Sequence, residues 1–307
     1  MNIRGSTLHS VQTYTAAHQT IDNGPRTTDN TPTMKLYRTS EYWLVEHANT
    51  VVRLSRFDID AWLDSENPVA YVHHLVRTLA PAHVPVPSSP LMPIGSQEIW
   101  AAGVTSQRSK VARMEESVAA KSAYDLVYDA PRPEIFFKGN LRRCRSTGEP
   151  MRLRDDSKWM VPEPELALVL SSRGQIVGYT IGNDLSCRDI EGENLLYLPQ
   201  AKTWDGSCSL GPAILIADPA DDIRSATIKC TITRNNQEVF SGETSISQIK
   251  RPLEELVGYL FRNQTFPQGV ILLTGTGIVP THDFTLTRGD TVRITIDKIG
   301  TLENPMA

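Results

Sequence analysis

Glu163 and Glu165 are separated only by Pro164, and they open a segment whose pattern predicts a β-hairpin ending at Asp184. Residues two apart on an extended strand project to the same side, so both glutamates share a face. The run 165–172 is apolar and strand-like, Arg173-Gly174 predicts a two-residue turn, and 176–183 returns. That turn sets Ser172 opposite Gln175 and, by the same count, Asp184 opposite Glu163. Three carboxylates then meet on one side of a sheet, where like charges repel. Burial there demands a counter-charge or a proton. A hard divalent cation that prefers oxygen, Mg²⁺ first, resolves the conflict. The competing reading is a solvated acidic rim on an edge strand, where Pro164 would be tolerated. The apolar residues that follow the acids favour the metal.

The elements that must position these acids come from a chain of 307 residues, long enough to bury a large core. Its formal net charge of −4 gives no electrostatic case for nucleic acid or an anionic membrane. No apolar run reaches transmembrane length, and the N-terminus lacks the hydrophobic core of a signal peptide. Cys144, Cys187, Cys208 and Cys230 are scattered without a C-x-x-C pair, so they read as reduced packing residues in a cytoplasmic protein. Residues 1–33 are polar and read as a flexible tail. Residues 34–98 suggest a small N-terminal α+β domain: a strand from Met34, a helix over 68–79 with Val69, Val72, Leu75, Val76 and Leu79 on one face, and a proline-rich linker at 81–93. Residues 99–307 form the second, catalytic domain. It should hold a strand at 99–103, a charged helix over 107–128, a strand at 132–138 and the acidic hairpin. A loop at 188–210 and a strand at 213–217 follow. Alternating strands occupy 226–240 and 290–302, and Pro252 opens a helix with Leu253, Leu256, Val257, Leu260 and Phe261 on its face. Many strands and few helices predict a β-rich α+β fold, not a doubly wound parallel sheet. No glycine pattern opens a phosphate loop.

Several separated blocks carry a family likeness. VPEPELALVL (161–170), GYTIGNDLSCRD (178–189), Lys202, LGP (210–212), TGTG (274–277) and RGD (288–290) resemble the fumarylacetoacetate hydrolase superfamily. The resemblance runs from about residue 99 to the C-terminus. It implies a mixed β-sandwich roll, usually in a homodimer or a dimer of dimers, around a Mg²⁺ site that in some members takes Mn²⁺ or Ca²⁺. It also implies Glu163, Glu165 and Asp184 as the metal ligands. RPEIFFK (132–138), DIEGEN (189–194), YLPQAK (197–202) and TGTGIVP (274–280) are similar to the 2-keto-3-deoxy sugar-acid dehydratases, the type acting on 2-keto-3-deoxy-D-arabinonate. Many hydrolases and decarboxylases of the superfamily carry a lid motif with a His-Glu pair that activates water. Here the stretch is GVTSQRS (103–109), so Ser109 holds the histidine position and Ala112 the acid position, with Glu115 and Glu116 nearby. That departure favours elimination over C–C hydrolysis. Leu195 and Ser106 also depart from the dehydratase pattern, where proline and tyrosine are common.

A 2-keto acid substrate would chelate Mg²⁺, lose a proton from C3 and then its C4 hydroxyl as water, giving 2,5-dioxopentanoate from a five-carbon acid. No organic cofactor is required. On the resemblance, Lys202 is the expected proton-transferring base or stabiliser of the enolate, against the plainer reading of a salt bridge to a metal carboxylate. Glu134, an acid in an apolar strand, is the expected acid/base for the departing hydroxyl; the alternative is a pair with Lys138 or an arginine. Arg188 suits bidentate binding of the substrate carboxylate, with Thr276 beside it, unless it neutralises Asp189 or Glu191. Asp189, Glu191 and Glu193 are expected to shape their loop, and His282 to lie on a surface turn. Beside a Mg²⁺-dependent dehydratase stand two other readings: a hydrolase or decarboxylase of acylpyruvate-like 2,4-diketo acids, and a non-catalytic metal-binding homologue.

Overall fold

A computed structural model describes residues 33–108, 127–219 and 222–307. The polar tail, and most of the charged helix expected over 107–128 with Ser109, Ala112, Glu115 and Glu116, fall outside the described residues. Short runs of β-branched and aromatic residues punctuated by turn residues give a succession of strands. The first three, β1 (Met34–Arg38), β2 (Trp43–His47) and β3 (Thr50–Leu54), form an antiparallel meander. Helices α1 (Ile59–Asp64) and α2 (Pro68–Thr78) follow. Their N-caps are Asp58 and Asn67, whose side chains accept backbone N–H groups of the first turn. Then come β4 (Glu98–Gly103), β5 (Glu134–Gly139), β6 (Cys144–Arg145) and β7 (Met160–Val161).

The acidic hairpin is β8 (Pro164–Leu170) and β9 (Ile176–Asp184). After it come β10 (Ser186–Cys187), α3 (Arg188–Glu193), α4 (Leu198–Lys202) and β11 (Cys208–Ile216). The stretch 188–210 is therefore not a loop. Asp189 and Glu191 in the first turn suit the α3 N-terminus, a proline opens α4, and β11 begins earlier than alternation alone suggests. The chain closes with β12 (Thr227–Arg234), β13 (Gln237–Ser245), α5 (Leu253–Leu260), β14 (Val270–Leu273), β15 (Thr291–Ile296) and β16 (Gly300–Pro305).

Among the described residues one large sheet runs β3-β2-β1-β11-β9-β8-β14-β4-β5, with β6 beside β11, and a smaller one runs β13-β12-β15-β16. The pairs β14–β4 and β6–β11 are parallel and the other pairs antiparallel, so the large sheet is mixed. The result is the β-rich α+β fold that the count of elements predicted, with the mixed sheets that the family resemblance implied. Leu166, Leu168 and Leu170 of β8 pack with β12, β15 and α5 in one core. Ala167 and Val169 face a second core that includes Leu36, Trp43, Trp62 and Val72. Every residue of β8 is buried because it is covered on both faces, which explains its unbroken apolar run.

The hairpin turn differs from the two-residue form expected at Arg173-Gly174. Ser171 N–H donates to the Gln175 carbonyl at 2.9 Å and Gly174 N–H to the Ser171 carbonyl at 3.0 Å, so the loop is three residues, 172–174. That offsets the register by one. The pairing slips back between Val169 and Leu170, where β9 carries Val177 as an extra residue. Beyond that bulge Glu165 pairs with Gly182 and Pro164 with Asn183. The two departures cancel, and the end carrying the acids keeps the predicted register.

Candidate active site

Asp184 N–H donates to the Glu163 carbonyl at 3.0 Å, which continues the β8–β9 ladder and sets the two residues side by side. Glu163, Glu165 and Asp184 are all buried, and each offers an oxygen within 4.8 Å of those of the other two. Glu165 Oε2 accepts the Gly275 N–H at 2.6 Å. Only glycine fits there: φ is +88°, and a Cβ would stand 2.1 Å from Thr105 Oγ1 and 2.8 Å from the Ala102 carbonyl. Burial, then the charges of Asp184 and Glu163, hold the Glu165 carboxyl well above the usual carboxylate range. A proton or a cation must therefore settle this site.

The cations around the acids come from three separate elements. Lys202 ends α4, and its Nζ donates to Glu163 Oε2 at 2.6 Å and to Asp184 Oδ2 at 3.3 Å. Arg188 opens α3, and its Nη2 donates to Glu163 Oε1 at 2.9 Å. Lys138 on β5 is wholly buried; its Nζ forms an ion pair with Asp184 Oδ1 at 2.5 Å, outside hydrogen-bond geometry. Glu163, Glu165, Asp184, Arg188, Lys202 and Thr276 line one small cavity, with Phe136, Ala102, Gly103, Val104 and Gly275 completing the wall. Val104 adopts φ +51° although it is β-branched, a strained backbone at the wall of the site.

The expected site residues fall as follows. Arg188 reaches Glu163, whose Oε1 accepts from its Nη2. Asp189 accepts from Ser157 Oγ and Lys158 N–H, both at 2.6 Å, and buried Glu191 accepts from Ser186 Oγ at 3.0 Å. Thr276 is buried, and its hydroxyl closes its own turn: it accepts the Ile278 N–H and faces the Ile278 carbonyl, each at 3.1 Å. Glu134 opens β5 opposite Gly103, and its Oε2 fills the space where a Cβ on Gly103 would stand, 1.8 Å away. Its carboxylate thus packs on the cavity wall and is not itself among the lining residues. It is four residues from Lys138 along an extended strand, about 13 Å, so the two do not pair. Glu193 and His282 are exposed.

Sequence reasoning missed two participants. Lys138 shares a face of β5 with Glu134 and Phe136 by strand alternation, and that spacing was the available signal. The Gly275 amide was marked only by the glycines of TGTG. The donor set is all carboxylate oxygen, with the four cysteines buried elsewhere in the core; burial lifts the Cys187 thiol to about 11 and the Cys230 thiol to about 12. Such a set fits a hard divalent ion such as Mg²⁺, which keeps further positions for water and substrate oxygens.

Comparison with known proteins agrees with this geometry. The family model described as "Fumarylacetoacetate (FAA) hydrolase C-terminal" matches residues 99–307. A probable 2-keto-3-deoxyxylonate dehydratase of Haloferax volcanii is 48% identical over 213 residues, 69% of this chain and 73% of the relative. The 2-dehydro-3-deoxy-D-arabinonate dehydratase of Saccharolobus solfataricus is 45% identical over 217 residues, 70% of this chain and 73% of its own. A solved structure of 2-keto-3-deoxy-D-arabinonate dehydratase complexed with magnesium and 2,5-dioxopentanoate superposes with a TM-score of 0.75 at 35% identity, covering 90% of this chain and 98% of that one.

Proposed function

The chain belongs to the fumarylacetoacetate hydrolase family, and on that premise we propose that it is a Mg²⁺-dependent dehydratase of 2-keto-3-deoxy sugar acids, with 2-keto-3-deoxy-D-arabinonate the leading substrate. The observation that carries the proposal is the buried trio Glu163, Glu165 and Asp184, with Lys202 Nζ donating to two of them at 2.6 and 3.3 Å. The dehydratase identity of relatives at 45–48% supports the reaction class.

In this reading Glu163, Glu165 and Asp184 would hold Mg²⁺. The ion would supply Lewis acidity that makes the C3 protons of a 2-keto acid labile. Lys202, at the cavity floor under the Phe136 ring, holds or moves the C3 proton. Arg188 orients the substrate carboxylate, joined by Thr276 once its hydroxyl turns from the Ile278 carbonyl to which it donates in the free protein. Glu134 delivers a proton to the C4 hydroxyl, which leaves as water with its bonding electrons. One proton is taken at C3 by Lys202 and one given at C4 by Glu134, so the net proton count of the chain is unchanged, and passage of a proton from Lys202 to Glu134 resets the pair for the next turnover. Loss of water leaves a C3=C4 double bond with the remaining hydroxyl on C5. A proton leaving C5 and one adding at C3 moves the double bond to C4=C5, and that enol takes a proton at C4 as its hydroxyl gives one up, which yields 2,5-dioxopentanoate. We further propose a cytoplasmic homodimer or dimer of dimers. The free, buried cysteines fit a reducing compartment, and among the described residues no helix is long and apolar enough to cross a membrane. Light scattering on the purified protein reads the oligomer directly.

The decisive experiment incubates the protein and Mg²⁺ with a panel of 2-keto-3-deoxy pentonates and acylpyruvates, read by mass spectrometry. Loss of one water from a pentonate, abolished by chelator, is the expected result. Cleavage of an acylpyruvate with no dehydration would overturn the proposal.

A further inference from the structure

Lys138 is a buried lysine that the reaction as drawn does not use. Lysine is seldom fully enclosed unless it is paired, and its ammonium here is 0% exposed. The group meets three oxygens from two elements: Asp184 Oδ1 at 2.5 Å, the Leu185 carbonyl at 2.9 Å, and the Lys202 carbonyl. The Trp204 ring closes the remaining side, its centroid 5.2 Å from Nζ. Asp184 and Leu185 stand where β9 ends, whereas the Lys202 carbonyl is at the C-terminal end of α4.

We infer that Lys138 is a positioning residue that ties the Asp184 end of β9 to the helix end bearing Lys202. It thereby fixes which oxygen of Asp184 faces the cavity. With Oδ1 paired to Lys138, Oδ2 is the oxygen that meets Lys202, at 3.3 Å, so Asp184 is left one oxygen, not two, for a metal. Phe136, two residues earlier on the same face of β5, lines the cavity, while Lys138 works from behind the acids. The inference rests on reading Asp184 as a ligand.

Groups that orient metal ligands are worth about 10- to 100-fold in metal affinity or activity. Lys138→Met keeps much of the apolar stem and removes the charge. The test measures Mn²⁺ binding by titration calorimetry and electron paramagnetic resonance, alongside circular dichroism and kcat and KM with Mg²⁺ saturating. The expected result is a folded protein whose Mn²⁺ dissociation constant rises about 10- to 100-fold, with kcat falling more than KM rises. Should Lys138→Met not fold, Lys138→Arg retains the charge, but its planar fork cannot reproduce one compact ammonium between three oxygens. The same metal-affinity loss is expected from it. Mn²⁺ affinity and kcat within twofold of wild type in the folded variant would overturn the inference. Asp184→Asn separates the two readings: full Mn²⁺ binding in that variant removes Asp184 as a ligand, whereas loss there with normal binding in the Lys138 variant overturns only the role of Lys138.

Discussion

Glu163 and Asp184 each have a lysine within ion-pair distance, whereas Glu165 is met by the Gly275 amide. That asymmetry makes Glu165 the proton reservoir of the metal-free site. Its folded pKa lies above the ordinary value of 4.5, so between the two the native chain binds more protons than the unfolded one. Stability of the metal-free protein should therefore fall as pH rises above about 4.5, and the loss is complete once pH passes the raised folded value. Thermal melts across pH, in chelator, should show this slope in wild type and lose it in Glu165→Gln, with Mg²⁺ flattening it in wild type. Equal pH slopes in the two proteins would contradict the assignment. Glu134 offers a second check. With Gly103 leaving room for its carboxylate, Glu134→Gln should keep Mn²⁺ binding and lower kcat by about 10²- to 10⁴-fold, the usual scale for losing a general acid or base. An unchanged kcat removes it from the mechanism. The acids themselves were legible because strand alternation acts over two residues. The partners of Arg188 and Lys138 were not, because their contacts span 25 and 46 positions of sequence (188 − 163 and 184 − 138).

The hairpin holds the lesson at the scale of elements. Its strands were readable from apolar runs, and the facing of Asp184 with Glu163 followed from a simple count. The count assumed a turn that the chain does not make. A three-residue loop and a one-residue bulge at Val177 offset each other, and nothing in local propensity reveals either alone. Deleting Val177 tests this compensation. Val177 has no partner of its own on β8, so its removal should leave the loop intact, bring Gly178 directly after Ile176 opposite Val169, and keep Asp184 opposite Glu163. Mn²⁺ binding should then be retained. Loss of Mn²⁺ binding in the folded variant would mean that the bulge itself, and not the register alone, shapes the site. Helices α3 and α4 were hidden for a different reason. They are six and five residues long, too short for periodicity to declare, and they form because tertiary packing buries Arg188, Glu191, Ala201 and Lys202.

Across the whole molecule the expected division at residue 98 coexists with a shared sheet. Strand β1 pairs with β11, and residues from both sides of the boundary fill the second core. We keep 34–98 and 99–307 as a proposal about organisation, and the sheet makes a prediction about it. A fragment of 99–307 alone would expose the edge of β11 and the faces of Ile99, Ala167, Val169, Ile214 and Ile271. It should express as aggregate or as a partly folded chain without a cooperative melt. A soluble, cooperatively melting fragment would establish independence instead. Strand β14 has one more consequence. It lies between β8 and β4, and the amide that meets Glu165 comes just after it. During translation, then, the nascent polypeptide carries its acids without their neighbour until residues 270–275 have left the ribosome, and no earlier chain length can assemble a working centre.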